Sequence, residues 1–170
     1  ELVDRYEGPA ETPARNLPAE AAYFLGNLFA AAKRTDQADA AYELALTYDP
    51  QHAWSLNNLG YSLLERGGDV GRASELLERA HASLPSEASI TDSLGWLRYK
   101  QALIDDERDA NGVIAKRGAV SLLQEAAMTD RGRSAPTILN HLADPLWVAG
   151  RAEEARRYWQ LSEQLVARLL

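Results

Sequence analysis

The chain has 170 residues, 46% of them hydrophobic, enough to bury a core in one unit without division into separate globular domains. Against 25 acidic residues stand 18 basic ones; the net charge of −7 and the pI near 5.0 oppose attraction to a nucleic-acid backbone or an anionic membrane. With no cysteine there is neither a disulfide framework nor a thiolate metal site, and no run approaches the roughly 20 apolar residues of a membrane span.

The first residue is Glu1 rather than methionine, and no signal peptide opens the chain, so an excised fragment or processed product is expected. Residues 1–17 combine the helix breakers Gly8, Pro9 and Pro13 with Leu2, Val3 and Tyr6, which reads as a helix end and a linker. From Pro18, apolar and small side chains recur at helical spacing through Ala22, Leu25, Gly26 and Phe29, predicting a helix over about 18–33. Thr35 is placed to cap a partner over about 36–48, whose inner face carries Ala38, Tyr42 and Ala45 before Asp49-Pro50 stops it.

A second pair is expected over about 52–66 and 70–84, divided by Gly67-Gly68, which supply the positive φ that lets a chain leave a helix. A third begins near Ser86 and shows Leu94-Gly95-Trp96, but the counterparts Ala119, Leu123 and Ala126 arrive late, after an insertion over about 101–116. That insertion is expected to prolong the helix by about a turn before a polar loop centred on 105–112. The fourth pair carries Leu139, Leu142 and Leu146, then Gly150 as a stop, then Ala155, Trp159 and Ser162. Two residues break the pattern. Arg98 stands where a large apolar side chain belongs, so its stem should pack and its head escape to solvent, and Pro145 should kink its helix.

Leu25-Gly26, Phe29, Ala38, Tyr42, Ala45 and Pro50 recur as Leu59-Gly60, Leu63, Ala73, Leu77, Ala80 and Pro85, a helix-turn-helix repeat of about 34 residues. This pattern resembles the tetratricopeptide-repeat (TPR) family over about 18–168. The resemblance implies an all-α, right-handed α-solenoid of about four antiparallel helix pairs, with repeats at 18–50, 51–85, 86–134 and 135–170. The chain is also similar to the C-terminal arrays of long bacterial TPR proteins, several of which are envelope lipoproteins acting as assembly adaptors. That likeness points towards a bacterial periplasm, whereas composition fits cytoplasm and periplasm equally.

In TPR arrays the first, or A, helix of each pair lines a concave surface. The resemblance therefore implies a ligand groove at Tyr23, Asn27, Asn57, Asn58, Tyr61, Asp92, Trp96, Tyr99, Asn140, Asp144 and Trp147. The chemistry is coherent: asparagine amides donate to and accept from a peptide backbone, and Tyr and Trp offer rigid apolar area. The competing role for Trp96, Tyr99 and Trp147 is packing between neighbouring A helices. Asn27 and Asn58 match the asparagines of TPR domains that clamp a C-terminal carboxylate. Tyr23, Ser89 and Ser93 stand where such a clamp has basic residues, so acidic C-terminal peptides should bind poorly.

Glu107, Asp109, Asn111 and Gly112 sit like the early positions of an EF-hand loop, but Gly118 replaces the closing carboxylate, and a solvated acidic loop is the expectation. No metal or other cofactor is expected. Among His52, His81 and His141 no two share a chelating spacing, and nucleophile-elbow, phosphate-loop and dinucleotide motifs are absent. Glu153-Glu154 and Asp105-Asp106 read as solvated surface, and His141 with Asp144 one turn on lacks a nucleophile. The function expected is a non-catalytic interaction scaffold or adaptor for a protein or peptide segment. The alternative is a regulatory or substrate-recruiting TPR region of a larger enzyme. The last helix, about 152–168, ends in Leu165, Val166, Leu169 and Leu170 without a polar cap, so a homodimer contact there is a further expectation.

Overall fold

A computed structural model describes residues 17–168; the linker expected before residue 17, and Leu169 and Leu170, lie outside the described residues. Eight α-helices are present among them, with a short 3-10 helix at Gly132–Ser134. Four antiparallel pairs follow in chain order: α1 (Leu17–Ala31) with α2 (Thr35–Tyr48), α3 (Ala53–Glu65) with α4 (Val70–Ser83), α5 (Ala88–Lys100) with α6 (Ala119–Met128), and α7 (Pro136–Val148) with α8 (Ala152–Ala167). Each second helix also packs on the first helix of the next pair, and α5 touches α3 and α7 directly.

Small residues decide how closely the pairs approach. Gly26 faces Tyr42 and Gly60 faces Leu77; a Cβ on Gly60 would lie 2.8 Å from the Leu77 Cγ, inside contact distance. Ala38, Ala45, Ala73, Ala80, Ala126 and Ala155 are buried on the partner helices, where longer side chains would separate the backbones. The core runs along the array. Leu56, Leu59, Leu76 and Ile90 fill the first half, Leu77, Leu94, Leu97 and Leu122 the middle, and Leu123, Leu139, Leu142 and Leu146 the second half. Burying each such side chain contributes about 1.5–3 kcal/mol, and no single pair covers its own apolar face.

All four A helices end the same way. The amides of Arg34, Gly68, Leu103 and Arg151 donate to the carbonyls of Phe29, Leu63, Arg98 and Leu146, each 2.9 Å away, while Lys33, Gly67, Ala102 and Gly150 adopt positive φ. This doubly bonded turn satisfies the last carbonyls of the helix. Gly67 and Gly150 suit it sterically; Lys33 (φ 57°) and Ala102 (φ 59°) do not.

Three local expectations are corrected. Thr35 is the first residue of α2, and Arg34 occupies the cap position without a side-chain cap bond, because a guanidinium has no acceptor to offer the first amides. Arg98 is 6% exposed: its head turns inward, pairing with Glu78 of α4 at 2.8 Å and Gln101 at 3.2 Å rather than reaching solvent. The insertion does not prolong α5, which ends at Lys100; it forms a two-stranded antiparallel hairpin, β1 (Glu107–Arg108) and β2 (Ile114–Lys116). Asp109 closes its tip, the carboxylate accepting from the amides of Asn111 (2.8 Å) and Val113 (3.0 Å). Pro145 lies inside α7, which continues to Val148.

Candidate functional site

The A helices bring polar side chains together around a pocket of about 570 Å³, lined from α1, α2, α3, α5 and the first turns of α7. A hydrogen-bonded chain forms one wall. Tyr42 Oη donates to Asn27 Oδ1 (2.9 Å), which also accepts from Asn58 Nδ2 (3.0 Å); that amide nitrogen lies 3.3 Å from Tyr42 Oη. Asn57 Nδ2 donates to Asn58 Oδ1 (3.2 Å), leaving Asn57 Oδ1 buried without a partner. Asp39 of α2 pairs through Oδ2 with Arg66, while its Oδ1 is buried and unpartnered, as is Ser62 Oγ.

Across the pocket, α5 and α7 are joined by a buried pair. His141 Nδ1 lies 2.9 and 3.1 Å from the two carboxylate oxygens of Asp92, and the Trp96 ring stacks on the imidazole with centroids 4.2 Å apart. Burial, together with the negative charges of Glu65 and Asp92, pushes the Tyr61 phenol up to about 12. Tyr42 is also raised, by burial first and then by Tyr23 and Asp39, although the Asn58 hydrogen bond works against it.

Of the groove set expected from the sequence, Asn27, Asn57, Asn58, Tyr61 and Asp92 line this pocket. The others lie elsewhere. Tyr23 packs its ring against Tyr42 and His52. Trp96 is 9% exposed in the seam between A helices, with Nε1 donating to Glu65 Oε1 (2.7 Å) and Tyr99 stacked at 5.0 Å. Asp144 accepts from Trp159 Nε1 (3.2 Å), and Trp147 is half-exposed against the Trp159 ring. Asn140 opens on a separate hollow of about 380 Å³ with Trp159, Ser162, Glu163 and Val166.

Sequence reasoning missed Asp39 and Tyr42 of α2 and paired His141 with the wrong aspartate. The A-helix pattern concealed the first two, since a B helix was expected to contribute only packing. His141 finds Asp92, 49 residues away, because α5 and α7 lie side by side. Ser93, which also lines the pocket, donates its Oγ hydrogen to the Ser89 carbonyl (2.9 Å). Asp106 is not merely solvated. Burial works to raise the Asp106 carboxyl, but hydrogen bonds from Ser121 and Gly118, with Arg117 and Arg108 nearby, outweigh it and hold the carboxyl low. Glu154 is lowered by its hydrogen bonds from Arg151. Among the described residues, no group of three or more His, Cys, Asp or Glu could hold a metal ion, and no helix is long and apolar enough to cross a membrane.

No family model matches the chain. A relative in Pseudomonas aeruginosa, TPR repeat-containing protein PA4667, is 41% identical over 81 residues, an alignment covering 46% of this chain and 14% of that protein. Three solved structures share the architecture. Pseudomonas aeruginosa pilF superposes with a TM-score of 0.62 at 23% identity, over 86% of this chain and 60% of that one. MamA superposes with a TM-score of 0.61 at 14% identity, over 88% and 79%. YrrB, a TPR protein with an unusual peptide-binding site, gives a TM-score of 0.61 at 17% identity, over 86% and 68%. Stacked helix pairs with A helices along one face define the fold as a TPR-type α-solenoid. Over those 81 residues the chain is similar to a protein named for its TPR repeats, of which it spans about a seventh.

Proposed function

We propose that the chain is a non-catalytic scaffold or adaptor that seats a peptide or protein segment in the pocket formed by α1, α2, α3, α5 and α7. The observation that carries this reading is the buried, unpartnered Asn57 Oδ1 in a wall of asparagines. A buried carbonyl without a donor costs about 1–3 kcal/mol, and a bound backbone amide removes that cost. Tyr61 supplies apolar area beside it, and the acidic lining opposes a phosphate backbone. A pull-down with cross-linking, comparing wild type with an Asn58→Ala, Tyr61→Ala variant, tests it: partners should be captured by the first alone, and equal capture by both overturns the reading. The exposed Leu161 and Val166 of α8 support self-association through that helix, and a strictly monomeric scattering profile at high concentration would exclude it.

A further inference from the structure

The asparagine wall turns its amide donors on itself and leaves buried acceptors open. Asn58 directs its amide nitrogen at Asn27 and Tyr42, Asn57 directs its own at Asn58, and the Tyr42 hydroxyl is committed to Asn27. What remains unsatisfied and buried are Asn57 Oδ1, in a residue 6% exposed, and Asp39 Oδ1, in a residue 9% exposed, together with the Ser62 hydroxyl. Asp92 adds a second carboxylate, itself 6% exposed. No lysine or arginine lines the pocket. Arg66 reaches Asp39 from the end of α3 but occupies only one of its oxygens, and His141 meets Asp92 through a single nitrogen, so both carboxylates retain acceptor capacity.

We infer that this pocket selects a segment bearing a cationic side chain, lysine or arginine, whose head group is held by Asp39, Asp92 and Asn57. The inference rests on reading the pocket as the seat of a peptide. Three helices supply the cradle: Asp39 comes from α2, Asp92 from α5, and Asn57 from α3, which packs against both. An ammonium carries three donors and a guanidinium five, so either can satisfy several acceptors at once. A carboxylate in the same place would meet two buried carboxylates whose partners are already engaged and no lining lysine or arginine, which disfavours acidic segments.

The test is a pool of acetylated, amidated hexapeptides randomised at every position, incubated with the immobilised 170-residue chain, eluted and sequenced. Wild type should capture peptides enriched in Lys and Arg and depleted in Asp and Glu. Asp39→Asn and Asp92→Asn should each cut that enrichment about tenfold, the scale of one charge-assisted bond. Asp130→Asn, which removes a fully exposed charge outside the lining, should leave it unchanged. Circular dichroism melts establish that each variant is folded, and either aspartate variant alone suffices if the other is not. Equal loss in all three variants assigns the enrichment to overall charge and overturns the inference. Capture that depends on Asn58 but shows no cationic preference also overturns it while leaving the peptide seat standing, whereas no capture above background removes both.

Discussion

A Cβ on Gly95 would lie 2.6 Å from the Cγ of Leu123, so the third helix pair closes to near backbone contact although the hairpin insertion separates its two helices in sequence. Gly95→Ala is therefore expected to destabilise the protein by about 1–3 kcal/mol through overpacking. Urea unfolding reads this out. In a Gly95→Ala, Leu123→Ala double variant the two costs should fall short of additivity, since the smaller partner makes room for the new methyl.

The A-helix ends give an opposite effect. Ala102 holds φ 59°, where a Cβ is strained, so Ala102→Gly should stabilise by up to about 1 kcal/mol, the relieved strain exceeding the added freedom of the unfolded chain. At the equivalent turn after α3, Gly67→Ala should destabilise by about 1 kcal/mol. Matched thermal melts of the two variants would show shifts of opposite sign.

Asp106 caps α6 from outside the helix. Its Oδ1 accepts from the Gly118 amide (2.9 Å) and the Ser121 hydroxyl (2.6 Å), a service Gly118 cannot perform for itself. Asp106→Ala should cost about 0.5–1 kcal/mol, as for lost helix caps. Because the folded carboxyl sits below its ordinary 3.8, the contribution is complete above that pH and is lost as pH falls through the lowered value. The difference between wild type and variant should thus be flat near neutrality and shrink in acid.

His141→Ala removes the partner of a buried carboxylate and a ring from the Trp96 stack. A loss of about 2–3 kcal/mol is expected, since the buried Asp92 side chain loses its hydrogen-bond partner. Tryptophan emission should shift on the same substitution in the folded state, an effect that a remote destabilising change would not produce.

Peptides ending in an acidic C-terminal motif should bind poorly, because Asn27 and Asn58 are engaged with Tyr42 and no cation lines the pocket. Titration calorimetry with such a peptide should show no tight binding. Tight binding that disappears in Asn27→Ala would contradict this.

Leu-Gly pairs, buried alanines and the stops at Gly67 and Gly150 were legible because each encodes a local requirement: a helical face, a close approach, a positive φ. These specify helix pairs and the side that carries Asn27, Asn58 and Tyr61. The same local logic did not mark Lys33 and Ala102, which adopt the same left-handed helix-end turn without glycine's freedom. It failed at Arg98, because an arginine on a helix buried on nearly every side has no route to solvent and must find Glu78.

Repetition along the chain thus determined the solenoid, since a 34-residue period can bury its apolar face only by stacking. Which groups meet in the pocket was decided by the stacking itself. Neither the union of Asp92 with His141 nor the convergence of Asp39, Asn57 and Ser62 follows from any spacing within one helix; each depends on how neighbouring helices are set against one another. Residues far apart in sequence become neighbours only when α2, α3, α5 and α7 pack, and that packing leaves Asp39 Oδ1 and Asn57 Oδ1 buried without a donor.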